Sequence, residues 1–188
     1  IGGLLKRGFS SAHIRVVEIN ADSCKRLHQE FGVRTSVELV PGSERSDVVV
    51  LAVKPQQMHG VATQLKAFLG KQLIISIAAG IRAEDLARWT GSQNIVRAMP
   101  NTPALIRSGI TGLYALPSVS EAQKHDAQTV MSAVGKTLWL KNEEMMDAVT
   151  AVSGSGPAYV FYFIEAMQQA ARELGFDEKD ARSLVLDT

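Results

Sequence analysis

The chain has 188 residues, 46% of them apolar and 21% charged, with a net charge of +1. That composition suits a globular protein of one or two domains. The near-zero charge gives no footing for nucleic acid or an anionic membrane, and no apolar run reaches the roughly 20 residues that span a bilayer. The lone cysteine, Cys24, cannot form an internal disulfide, which fits a reducing, cytoplasmic setting.

Residues 1–7 read as the tail of a helix stopped by Gly8. A strand follows at 14–19, then a turn and cap at Asn20-Ala21-Asp22-Ser23 and a helix at 24–31 ended by Gly32. Residues 33–35 form a short edge strand, and 37–46 a short helix and loop. The run Asp47-Val48-Val49-Val50-Leu51-Ala52-Val53 is unbroken and rich in β-branched valine, as in a parallel strand buried on both faces. Helices at 57–69 and 82–90 alternate with strands at 73–77, 94–98 and 109–115. Ser120-Glu121-Ala122-Gln123 is a capping box that opens a helix to about 134, and 136–140 is the last strand. This alternation predicts a doubly wound α/β sheet.

After Asn142 the pattern becomes helical. Asn142 caps a helix over 143–152, and Pro157 suits the first turn of a longer helix that Gly175 closes. Tyr159, Phe163, Ala166, Ala170 and Leu174 recur at helical spacing, widened by Val160, Ile164 and Met167. So broad a stripe predicts contact with another helix as well as with the sheet. Asp177 starts a last helix. The expected division is 1–141 for the sheet domain and 142–188 for the start of a helical one.

Four stretches share a form. Ala52-Val53-Lys54-Pro55 ends a strand with an immobile backbone. Ile77-Ala78-Ala79-Gly80 ends another with small residues. Met99-Pro100-Asn101-Thr102-Pro103 places an amide and a hydroxyl between prolines. Ser153-Gly154-Ser155-Gly156-Pro157 opens a helix. Ligands of open α/β sheets lie beyond the carboxyl ends of the strands, so all four are expected to meet around one cleft.

Taken together and in this order, the four motifs resemble pyrroline-5-carboxylate reductase over essentially the whole chain. The resemblance implies a Rossmann-like cofactor domain, then a helical dimerisation domain. It implies reduction of 1-pyrroline-5-carboxylate to L-proline with NADPH, or with NADH, as the last step of proline biosynthesis. It also implies a Gly-rich turn before Ile1 and a Gly- and Thr-rich substrate loop beyond Thr188. On that reading, residues 1–188 lack the central strand of their own sheet and would not by themselves make an active enzyme.

Ile19, Asn20 and Ala21 stand where such folds meet the adenosine ribose. Ser23, Lys25 and Arg26 could meet a 2′-phosphate, and otherwise form a helix cap with a solvated basic face. Ala52, Val53, Lys54 and Pro55, with Ile77, Ala78 and Ala79, would present backbone to the nicotinamide and its ribose. The plainer reading is two strand terminators. Asn101 and Thr102 are expected at the reacting ring, against a structural turn as the alternative.

Ser153, Gly154 and Ser155 are expected to meet the substrate carboxylate through free N–H groups at a helix mouth, against a hinge between helices. Glu143 matches a family residue that contacts proline, and otherwise is an exposed acid at a helix start. The family often carries an asparagine before Asp47, whereas Glu38-Leu39 stands near there.

His13, His28, His59 and His125 are scattered without ligand spacing, so no metal is assigned. No nucleophile has a visible activating partner, and no catalytic residue is named. A homodimer or higher homo-oligomer is expected, with a small-molecule substrate. Two rivals stay open: an oxidoreductase of the β-hydroxyacid dehydrogenase type, which would need a lysine that 158–174 lacks, and a dinucleotide-binding dimer without turnover.

Overall fold

The computed structural model describes residues 1–39 and 46–188. Most of the helix and loop expected at 37–46 therefore lies outside the described residues. The described elements in chain order begin with α1 (Gly2–Lys6), β1 (Arg15–Val17), α2 (Ala21–Phe31), β2 (Arg34–Ser36), β3 (Val48–Leu51), α3 (Pro55–Leu65) and β4 (Leu73–Ser76). They continue with α4 (Ala83–Thr90), β5 (Ile95–Pro100), β6 (Gly109–Ala115), α5 (Glu121–Ser132) and β7 (Gly135–Trp139). The helical part holds α6 (Met145–Val149), α7 (Gly156–Glu173) and α8 (Glu178–Leu186).

Strands β3 to β7 form one sheet in chain order, while β1 and β2 pair in parallel as a second sheet of two strands. Within the larger sheet β3, β4 and β5 are parallel and β6 runs antiparallel to β5. All four side chains of β4 are buried, so helices cover both of its faces, as in a Rossmann-like sheet. Leu73, Ile74, Ile75, Ile95, Val96 and Leu113 are fully or almost fully buried. Each large aliphatic chain of this kind contributes about 1.5–3 kcal/mol by leaving water.

Local chemistry explains the element ends. Asn20 Oδ1 accepts from Ser23 N at 2.9 Å, so α2 begins at Ala21, three residues before the expected start. Gly32 ends α2 at a φ of 64°, a left-handed position that glycine adopts without a Cβ penalty. The capping box at Ser120 forms with both of its hydrogen bonds.

The valine strand differs from expectation. Val50 is 43% exposed, and only Leu51 of β3 is buried. Among the described residues β3 has a ladder partner on one side, β4. The helix expected over 143–152 is also different. It runs as α6 over five residues and continues as a π-helical turn, Thr150–Gly154, into α7. Proline at 157 cannot donate to the preceding turn, and the ladder widens just before it, with Ser155 N donating to Thr150 O at 2.8 Å. Finally, α7 makes its main contacts with α8 and with the π turn. Of its residues only Ala171 is buried.

Candidate active site

Parallel register brings the strand-end motifs to one edge. Leu51 pairs with Ser76 and Ser76 with Arg97, so the chain leaves β3, β4 and β5 on the same side. Ile77 N donates to Leu51 O at 3.1 Å, tying the start of the second motif to the first. Ala52, Lys54 and Pro55 are exposed there, with Val53 half-buried; Pro55 opens α3. Behind the next turn, the buried Ser76 hydroxyl accepts from Ala78 N at 3.3 Å. That bond holds Ala78 inward and leaves Ala79 and Gly80 exposed, with Ile77 half-buried. Gly80 has a φ of 74°, and a Cβ there would meet open space.

Strand β5 is longer and carries the third motif past the others. Asn101 Oδ1 accepts from Ile110 N at 2.9 Å, and Asn101 O from Ala104 N at 3.0 Å. The amide oxygen therefore fastens the loop to the start of β6, while Thr102 is exposed. No cis peptide bond occurs among the described residues.

The fourth motif reaches the same edge. A Cβ on Gly154 would lie 3.1 Å from Met99 Cε, so the absence of a side chain lets the π turn settle on the end of β5. Helix α6 is held by Gly112, where a Cβ would lie 3.0 Å from Val149 Cγ1. The helix mouth expected at 153–157 is partly closed. The N–H groups of Ser155 and Ala158 are already bonded to the carbonyls of Thr150 and Ser155. What the turn offers instead is side chains. Ser153 Oγ is buried with no hydrogen-bond partner, and Ser155 is half-buried beside it in sequence. A buried hydroxyl left unpaired costs about 1–3 kcal/mol, and such groups gather where a ligand completes them.

Glu143 is not an exposed acid. Its Oε1 accepts from Arg97 Nη1 at 2.6 Å and from Ala83 N, the first residue of α4, at 2.7 Å. Both side chains are buried, at 7% exposure for arginine and 10% for glutamate. Tyr114, the strand partner of Arg97, has its hydroxyl pushed above the ordinary phenol value by burial, then by the charges of Glu143, Glu144 and Glu84. Sequence reasoning gave no role to Arg97 or Tyr114. An arginine within the apolar run Ile95-Val96-Arg97-Ala98 was the available signal, because a buried cation requires a partner.

Ile19, Asn20 and Ala21 follow β1, which pairs with β2. Asn20 N donates to Glu18 Oε1 at 3.0 Å, so that acid is turned back onto its own turn. Lys25 Nζ lies 3.4 Å from Asp22, and both are exposed. The small exposed residues at the strand ends fit a flat dinucleotide ring approaching backbone, and the Asn20 turn fits a ribose. Among the described residues, no group of three or more His, Cys, Asp and Glu side chains could hold a metal ion, and no helix is long and apolar enough to cross a membrane.

Comparison with known proteins agrees along the chain. Residues 143–188 match the family described as pyrroline-5-carboxylate reductase dimerisation, and residues 1–80 match NADP oxidoreductase coenzyme F420-dependent. A pyrroline-5-carboxylate reductase of Pseudomonas aeruginosa is 46% identical over all of this chain and 70% of its own length. The structure of a pyrroline-5-carboxylate reductase from Coxiella burnetii superposes with a TM-score of 0.93 at 39% identity, over 99% of this chain and 70% of that one. A Plasmodium falciparum pyrroline carboxylate reductase with NADP bound gives 0.74 at 32% identity, over 82% of this chain and 59% of that one.

Proposed function

This chain belongs to the pyrroline-5-carboxylate reductase family, and from that premise we propose that it reduces 1-pyrroline-5-carboxylate to L-proline with a reduced nicotinamide dinucleotide, closing proline biosynthesis. The observation that carries the reading is geometric. Three parallel strand ends and a turn bearing an unpartnered buried hydroxyl share one edge of the molecule. A rival reductase of the β-hydroxyacid type has no lysine to use on α7.

When bound, the dinucleotide supplies the hydride that adds to the imine carbon. The residues of this chain do the positioning. Ala52, Val53, Lys54 and Pro55, with Ile77, Ala78 and Ala79, present backbone and small side chains to the nicotinamide end. Ile19, Asn20 and Ala21 meet the adenosine end. The hydroxyls of Ser153 and Ser155 take the substrate carboxylate, with Gly154 letting the turn approach closely. Asn101 and Thr102 flank the ring, with Glu143 behind them in its buried pair with Arg97. A protonated imine is already a strong acceptor, so this span needs no dedicated acid. Aligning two bound reactants lowers a barrier by about 7–11 kcal/mol.

NADPH is the preferred cofactor on this reading. Glu18, the acid nearest the ribose position, is engaged with Asn20 N, while Ser23, Lys25 and Arg26 lie within the first turns of α2. The unit is a homodimer or a higher homo-oligomer built through 142–188, with 1–141 as the cofactor domain. Cytoplasmic placement rests on the free, buried Cys24.

Loss of NADPH absorbance on adding 1-pyrroline-5-carboxylate to the intact protein tests the reaction. Ser155→Glu should raise the KM for the imine and leave that for NADPH in place; unchanged kinetics would remove Ser155 from the carboxylate site. Lys25→Glu with Arg26→Glu should lower the preference for NADPH over NADH.

A further inference from the structure

The buried pair Arg97–Glu143 sits where three segments of the site are joined. Arg97 projects from β5, four residues before Asn101. Ala83, whose N–H shares the same carboxylate oxygen, opens α4 three residues after the Gly80 turn. Glu143 leads within ten residues to Ser153, by way of α6 and the π turn. One oxygen atom thus binds the nicotinamide edge, the ring loop and the lead-in to the carboxylate turn. Isolated buried pairs seldom add stability over apolar residues of similar size, because desolvation offsets their attraction. A pair kept here is better explained by geometry than by stability. Arginine suits the task because its planar fork is rigid, whereas lysine is a mobile point charge.

We propose that Arg97 is a positioning residue for imine reduction. Acting through Glu143 Oε1, it fixes the distance between the strand edge that faces the nicotinamide and the Ser153–Ser155 turn that faces the substrate. This rests on the reductase reading given above. Its consequence is selective: disturbing Arg97 should spoil alignment of the imine while sparing the binding of NADPH, most of which touches other segments.

The test compares three forms of the enzyme: wild type, Arg97→Lys, and the double variant Arg97→Met with Glu143→Leu. Arg97→Lys keeps the charge and should stay folded, with its melting temperature near that of wild type. Its KM for the imine should rise roughly tenfold, because a small misplacement of the turn spoils the alignment of the bound imine. Its KM for NADPH should not move. The double variant replaces the pair by apolar side chains and should melt within a few degrees of the wild type, the apolar contact offsetting the Ala83 N–H that it leaves unpaired. Its kcat/KM for the imine should still fall by roughly a hundredfold. Amide hydrogen exchange over residues 150–155 should quicken in both variants, with or without substrate.

A double variant that regains stability and also regains turnover would overturn the proposal and leave the pair merely structural. Equal losses for imine and NADPH in Arg97→Lys would overturn it as well. Should the intact wild-type protein fail to turn over the imine, the reductase reading falls. The exchange rates of 150–155 still decide whether Arg97 holds the turn, and unchanged rates would reject it.

Discussion

The edge where β3, β4 and β5 end and the flank of α7 are both open to water, for different reasons. The edge exposes small groups, Ala52, Ala79 and Gly80, directly above a core in which Ile74 and Ile75 are fully buried. The flank exposes large ones: Tyr159, Phe161, Phe163 and, at 76%, Tyr162. Backbone and alanine are at ease in water and can wait for a small ligand. Four large aromatics exposed around one turn and a half of helix are more apolar surface than a protein usually leaves to water. On the proposed reading a cofactor and substrate complete the first region and a second copy the other, in line with the dimerisation match at 143–188.

The largest expected effect comes from the flank. Phe163→Glu should turn the assembly into monomers in sedimentation velocity and remove most turnover, because burying an unpaired carboxylate opposes association strongly. A dimer of unchanged mass would show that this flank is not the contact. The core comes next. Ile75→Ala should cost about 2–5 kcal/mol in denaturant unfolding without changing either KM, since it opens a cavity behind the edge and not on it.

Ser153→Ala sharpens the contrast between stability and function. Its Oγ has no partner in the free protein. Removing it should therefore leave stability equal or better by about 1 kcal/mol. The KM for the imine should nonetheless rise, and a variant that loses stability instead would show the hydroxyl to be structural.

The smallest effect concerns Tyr114. Its pKa is raised by burial first, and then by Glu143, Glu144 and Glu84. The folded protein therefore binds that proton more tightly than the unfolded chain. The resulting stabilisation is complete below about pH 10 and is lost as pH rises through the folded value. Ultraviolet titration of tyrosinate should show one late-ionising tyrosine that Tyr114→Phe abolishes.

Much of this was legible from local pattern. Apolar runs located β4, β5 and β6 to within two residues. Ser120-Glu121-Ala122-Gln123 located α5, because capping chemistry is local. The strand-end motifs were readable because a proline or small residue after a buried run marks a turn at a sheet edge. What escaped depends on distant partners. Arg97 and Glu143 meet across 46 positions, and no periodicity encodes that. The π turn arises from Pro157 and from contact with Met99 together, so a helix mouth was expected in its place.

A crystal structure of the enzyme with NADP and L-proline bound tests the central claim most directly. The account places the nicotinamide against Ile77, Ala78 and Ala79, and proline between Asn101 and Ser153, with the two reacting carbons about 3–3.5 Å apart. Proline seated away from the 153–155 turn, or a nicotinamide that does not touch the ends of β3 and β4, would contradict it.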